Sequence, residues 1–181
     1  MIEGWEKRKF NDCLQKVKSA KKIPKKSFLV EGEYPIVSQE KGLINGYWNN
    51  FEDVLTIEKP IVVFGDHTKI VKLIDFDFVK GADGIVLLLP IKEIDSKFFA
   101  YQLQNFKLRD LGYARHYRLL KENEIVFPSV SEQKQIVERL DKVFTAIDLA
   151  KANLEKNILY LEDLKKSILQ KAFSGELTQK E

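Results

Sequence analysis

Hydrophobic residues change their spacing near residue 128, and the change predicts two structural regimes. Before it, Tyr34 to Val37, Ile61 to Phe64, Lys69 to Ile74, Ile85 to Leu89 and Ile125 to Phe127 are short β-branched or aromatic runs. Gly42, Gly46, Gly65, Gly81 and Gly84 punctuate them, as turns punctuate strands. One helix interrupts this series. Phe98, Phe99, Leu103 and Phe106 recur at helical spacing, Asp95 suits the N-cap, and Gly112 follows the end. The pattern is that of an α+β domain, strand-rich and mixed.

After Pro128 the period becomes helical and stays so. Ser129 with Glu132 three residues later fits a capping box, and no Gly or Pro follows until Gly175. A helix over that stretch would be about 65 Å long at 1.5 Å per residue. Ile136, Leu140, Val143, Ile147, Ala150, Leu154, Leu161, Leu164 and Ile168 fall at alternating spacings of four and three, a heptad seam that only Asn157 and Lys171 interrupt. Asn157 at a seam position lowers stability but fixes register or partner orientation. A lone helix cannot bury its own stripe, so the seam predicts a second helix, from another copy or from a partner. The expected organisation is a domain over residues 1–128, a long helix over 129–175 and a tail over 176–181.

Composition narrows the chemistry. The 181 residues are 44% hydrophobic and 31% charged, the balance of a soluble globular domain with an extension. No apolar run approaches the roughly 18 to 20 residues of a membrane span, and the N-terminus lacks the apolar core of a signal peptide, so a cytoplasmic location and no membrane are expected. One cysteine, Cys13, and two histidines exclude a disulfide framework and the usual four-ligand zinc site. Neither glycine-rich phosphate pattern, GxxxxGK[ST] nor GxGxxG, is present. No catalytic residue, metal or bound cofactor is therefore expected. The net charge of +3 hides an asymmetry: residues 1–26 hold nine Lys/Arg against three acids, leaving 21 basic and 24 acidic side chains elsewhere. Such a segment either attracts polyanions such as nucleic acid or is a solvated lysine-rich loop.

Several short stretches then align with one family. Phe64-Gly65-Asp66-His67-Thr68, Lys69-Ile70-Val71-Lys72, Asp75-Phe76-Asp77-Phe78 and Gly81-Ala82-Asp83-Gly84 resemble the DNA specificity (S) subunit of type I restriction-modification systems. So do Gly112-Tyr113-Ala114-Arg115-His116-Tyr117, the helix opening Pro128-Ser129-Val130-Ser131-Glu132-Gln133-Lys134-Gln135-Ile136, and the ending from Leu164 to Leu177. Each piece is weak alone; their order and spacing make the resemblance specific. It implies a noncatalytic target recognition domain that binds double-stranded DNA, carried on a helix that binds methyltransferase (M) subunits. Adenine methylation would occur on those partners, which hold S-adenosylmethionine, and restriction would need a further (R) subunit. Family members typically contain two recognition domains and two helices packed antiparallel, whereas this sequence has one of each and no internal repeat. The resemblance is thus to half a subunit. It implies an antiparallel coiled-coil homodimer, which two-fold symmetry would direct to an interrupted palindrome. The heptads alone do not separate parallel from antiparallel pairing.

Candidate DNA contacts follow from the side chains that match base edges or phosphates. Between Ser38 and Asn50, Gln39, Asn45, Asn49 and Asn50 are interleaved with Lys41 and Tyr47. His67, Thr68 and Lys69 occupy a turn between strands, and Arg115, His116 and Arg118 form a basic-aromatic mixture with Tyr113 and Tyr117. Each has a competing structural role: hairpin packing and turn geometry for the first set, turn capping for the second, an interior position for either histidine. Seam residues Leu140, Val143, Ile147, Ala150, Leu154, Asn157, Leu161, Leu164 and Ile168 are assigned to dimerisation. Two other classes compete. Glu132-Gln133-Lys134 contains the E-x-K fragment of metal-dependent nucleases, but capping explains Glu132 better, and the Asn/Asp-Pro-Pro-aromatic methyltransferase motif is absent. A decoy that occupies a methyltransferase without supporting modification would need only the helix.

Overall fold

Strand β6 (Ile61–Gly65) is buried on both faces, and the rest of the domain is arranged around it. The computed structural model describes residues 3–112 and 114–177. Around β6 the central sheet has the order β2 (Leu14–Gln15), β9 (Ile85–Pro90), β6, β7 (Val71–Ile74), antiparallel throughout. Side-chain alternation along β6 divides the interior in two. Val62 and Phe64 enter a core with Phe10, Leu88, Ile94, Phe98, Phe99 and Leu103, while Ile61 and Val63 enter another with Val37, Leu55, Ile74, Phe78 and Ile85.

The first core is capped by α1 (Ser96–Asn105). It is closed by a ribbon of β1 (Glu6–Lys9) paired antiparallel with β10 (Glu124–Phe127) and by the short helix α2 (Tyr117–Lys121). Lys7 pairs with Glu124 across that ribbon, and the Arg8 guanidinium lies 5.3 Å from the Phe127 ring centroid. The second core is covered by a second sheet, β4 (Gly46–Trp48), β3 (Tyr34–Val37), β8 (Phe78–Lys80), β5 (Val54–Leu55), in which β3 and β8 run parallel. Its far face holds a small third core of Ile23, Ile36 and Val79, flanked by Phe28, Tyr34, Trp48 and Val54. The α+β expectation is met by several sheets followed by one long helix, α3 (Val130–Phe173).

Strand β3 has the expected limits, and Asp95 caps α1 by accepting from the Lys97 and Phe98 amides, both at 2.9 Å. The strand expected from Lys69 begins instead at Val71, because Lys69 closes a turn with φ 60° and donates its amide to the Gly65 carbonyl at 2.8 Å. Helix α1 stops at Asn105, short of Phe106. At α3 half of the capping box forms: the Glu132 amide donates to Ser129 Oγ at 3.3 Å. The Glu132 carboxylate accepts from the Trp5 indole at 3.2 Å.

The first two turns of α3 belong to the domain unit, which ends at Val137. The reason is Gln133, fully buried, whose Oε1 accepts from the Asp95 amide while Nε2 donates to the Glu93 and Pro128 carbonyls, each at 2.8 Å. Ile136 and Val137 add apolar contact with the first core. The second unit starts at Glu138 and consists of the remaining helix, with ion pairs Lys142–Glu138 and Lys166–Asp163 on its surface. Its seam residues Val143, Ile147, Leu154, Leu161, Leu164 and Ile168 are 43–65% exposed.

Replacing Gln133 with Ala strands one amide and two carbonyls in a dry site, so unfolding stability should fall by about 3 kcal/mol with an unchanged denaturant m-value. Urea titration followed by circular dichroism measures this.

Candidate nucleic-acid interface

The chain from Gly65 to Ile70 makes a tight turn out of the central sheet. A Cβ on Gly65 would collide with the Thr68 hydroxyl, so only glycine fits at this bend. Thr68 Oγ1 donates to the Gln39 carbonyl at 2.8 Å, and the His67 amide donates to Gln39 Oε1 at 3.2 Å. Gly84, at φ +76°, leaves the space for this packing: a Cβ there would sit 2.6 Å from His67 Cδ2 and 2.8 Å from Gln39 Oε1. These contacts join the loop after β3 to the turn after β6.

Asp66, buried just past the end of β6, adds a third segment. Its carboxylate Oδ1 accepts from the Tyr117 amide at 2.7 Å. Its carbonyl accepts from the His116 amide at 2.8 Å and faces His116 Nδ1 at 3.0 Å. The Leu111 amide donates to His116 Nε2 at 3.1 Å. Because Nε2 accepts, the proton of the neutral ring resides on Nδ1 and is donated to Asp66. Across the same junction Lys69 lies 3.4 Å from Asp110, whose carboxyl is held below its ordinary range chiefly by the Gly112 amide and then by Lys69. Residues 38–45, 66–69, 110–112 and 114–118 are therefore fastened together at one end of the central sheet.

This geometry sorts the candidate contacts. Lys41, Thr68, Arg115 and Arg118 are exposed, the Arg115 side chain 83% so, with only a loose 3.9 Å approach to Asp66. Gln39, His67 and Lys69 are half-buried braces of the turn. Asn45 spends both ends of its amide inside its own loop. His116 is fully buried, and both of its ring nitrogens are engaged in holding the loop. Tyr47 lies half-buried on β4 with its backbone paired to Leu29.

Asn49 and Asn50 lie across β4 from residues 38–45. Asn49 Oδ1 accepts from the Glu33 amide, and Asn50 caps the turn that starts at Phe51. Their surroundings include exposed Glu31, Glu33 and Glu52, a field that opposes a phosphate backbone. Buried Asp53 nearby is held ionised, first by the Trp48 indole at 2.9 Å and then by Lys21. Among the motif residues, Tyr113 lies outside the described residues, as do Met1, Ile2 and 178–181.

The N-terminal positive charge is partly spent at home. Lys7, Arg8, Lys21 and Lys25 pair with Glu124, Glu6, Asp53 and Glu40. Within the described residues, Lys9, Lys16, Lys18, Lys22 and Lys26 form no ion pair. No group of three or more His, Cys, Asp or Glu suited to a metal comes together among the described residues, and no helix there is long and apolar enough to cross a membrane. Cys13 is buried, which pushes its thiol up to about 11. Sequence reasoning missed the joining role of Asp66 and the burial of Lys72.

The family model for the type I restriction modification DNA specificity domain matches residues 2–160. The chain belongs to that family. That family is noncatalytic. Two Escherichia coli proteins, the EcoKI specificity subunit of strain K12 and the EcoBI specificity subunit, are 36% and 37% identical over 59 residues. That stretch is 33% of this chain and 13% and 12% of theirs. A chain solved in a study of complex assembly and conformational transition of the type I R-M system superposes with a TM-score of 0.76 at 17% identity. The HsdS subunit of Thermoanaerobacter tengcongensis gives 0.60 at 17%, and the S subunit from M. genitalium 0.58 at 24%. These three likenesses cover 94–97% of this chain but 46% of each solved chain, so the chain spans about half their length.

The hydrogen bonds at His116 lead to a spectroscopic prediction. Where the ring is uncharged, NMR should show its Nδ1–H tautomer; an Nε2–H tautomer would contradict the bond from Leu111.

Proposed function

We propose that this specificity domain binds double-stranded DNA through the joined segments 38–45, 66–69, 110–112 and 114–118 and assembles through α3 with a second copy of itself and with methyltransferase subunits. The observation that carries the reading is that three segments distant in sequence are fastened together by Gln39 and Asp66 while Lys41, Arg115 and, at the start of α2, Arg118 stay exposed on them. Buried braces with exposed cations are what a phosphate-positioning surface needs, because the cations keep their charge available and the braces fix their spacing. Asn49 and Asn50 remain candidates for base contact but stand among acids.

The exposed seam supports pairing, with Asn157 setting register. Apolar area continues off the seam at Leu149, Ile158 and Leu159, all exposed, more than a two-stranded coil consumes. A helix with that breadth suits a bundle, leaving room for a methyltransferase helix beside the second copy. Two identical halves paired antiparallel would read two like half-sites separated by a fixed gap, directing adenine methylation by the partner and, where a nuclease subunit joins, restriction.

The test combines the chain with the adenine methyltransferase encoded beside it and maps methylated bases on random-sequence DNA. An interrupted symmetric target is expected; an asymmetric one would require an unlike second half. A stable complex without methylation would favour the decoy reading, and no complex at all would defeat the role given to α3. Arg115→Ala should weaken DNA binding and lower the salt slope by about 1 with no change in oligomer size. Ile147→Glu with Leu154→Glu should abolish helix-mediated assembly in light scattering; unchanged assembly would refute the seam.

A further inference from the structure

Strand β7 lies at the edge of the central sheet and carries a lysine where its pattern calls for an apolar residue. Val71 and Leu73 face the first core and Ile74 the second, so alternation turns Lys72 inward on the Ile74 side, where it is 7% exposed. Its ammonium donates to the Ser38 carbonyl at 2.7 Å, the Gly42 carbonyl at 2.5 Å and Asn45 Oδ1 at 3.0 Å. An ammonium has three hydrogens, and these three acceptors use them all. None of the three is a carboxylate; burial pushes the lysine down from its ordinary range, while the charge of Glu40 supports the ammonium.

The acceptors are themselves tied together. Asn45 Oδ1 also accepts from the Ser38 amide at 2.8 Å, Asn45 Nδ2 donates to the Gly42 carbonyl at 3.0 Å, and the Asn45 amide donates to the Ile36 carbonyl at 2.8 Å. A loop without strand or helix is thus closed around one cation supplied by the neighbouring sheet, with Lys41 left exposed on it. Gln39, from the same loop, reaches the 66–69 turn.

We infer that Lys72 is a positioning residue for DNA recognition, which holds residues 38–45 in their binding conformation without itself touching DNA. The inference rests on the DNA-binding reading above. A loop ordered before binding does not pay its ordering entropy at the interface, which is how preorganisation raises affinity for the one DNA that matches it. Nonspecific attraction depends on exposed charge and does not need that order.

The test uses the full chain with its methyltransferase partner and the DNA target found by methylation mapping. Lys72→Met, similar in length but uncharged, should lower affinity for that target at least tenfold while leaving nonspecific affinity and the salt slope unchanged, with folding checked by thermal melting. Lys41→Ala, in contrast, should lower the salt slope. Hydrogen exchange supplies an arm that needs no variant. The Ser38 and Asn45 amides should be protected in the DNA-free wild-type protein, and in Lys72→Met protection should vanish and return with target DNA. Free exchange of these amides in the wild type, a reduced salt slope in Lys72→Met, or unchanged target affinity in that variant would each overturn the inference. Absence of any sequence-specific binding by the wild type would instead sink the underlying DNA-binding reading.

Discussion

The two-sided burial of β6 is the constraint on which the rest depends. A strand with apolar residues on both faces must be covered twice, and here α1 covers one side and the second sheet the other. Both layers stay in place because each buries two of the four apolar side chains of the same strand. The end of that strand is consequently held from both sides, and Asp66 stands immediately beyond it. Segments tied to Asp66, including the start of α2, inherit the position of the strand.

Electrostatics then separates structural charge from available charge. Lys21 and Lys25 are paired with carboxylates within the domain, and Lys72 keeps its charge but spends all three of its hydrogens on loop oxygens. Lys41, Arg115 and Arg118 have no comparable engagement; Arg115 is only near Asp66 at 3.9 Å. The net charge of the N-terminal segment therefore overstates its availability. Position relative to carboxylates, more than the count of lysines, decides which side of the domain suits an anion.

The sequence made the larger elements legible because their signals are local. Asp95 caps α1 by its own side chain, the runs forming β3, β6, β7, β9 and β10 are β-branched or aromatic, and α3 repeats its period many times. Strands β2 and β5, two residues each, carry no periodicity and exist because β9 and β8 present them with hydrogen-bonding partners. Helix α2 is likewise too short to announce itself. In the candidate site, exposed Lys41 and Arg115 were legible from residue type, whereas the burial of His116 depends on Leu111 and Asp66 reaching its ring from two directions. Lys72 did leave a trace, a lysine between apolar neighbours in a strand. That trace is ambiguous at a sheet edge, where an outward lysine is equally common.

The cage around Lys72 also bears on how such a domain changes what it reads. Two of its three acceptors are main-chain carbonyls, which every amino acid supplies, and only Asn45 contributes a side chain. Gly42 is confined as well, since a Cβ would sit 3.0 Å from the Ile44 carbonyl and 3.2 Å from Asn45 Nδ2. Positions 41, 43 and 44 are exposed and give no side chain to the cage. A scaffold that grips its loop by the backbone is indifferent to the letters displayed there, so substitutions at those three positions can alter the displayed surface while the fold beneath stays the same. Stability and evolvability are thereby assigned to different atoms of the same eight residues.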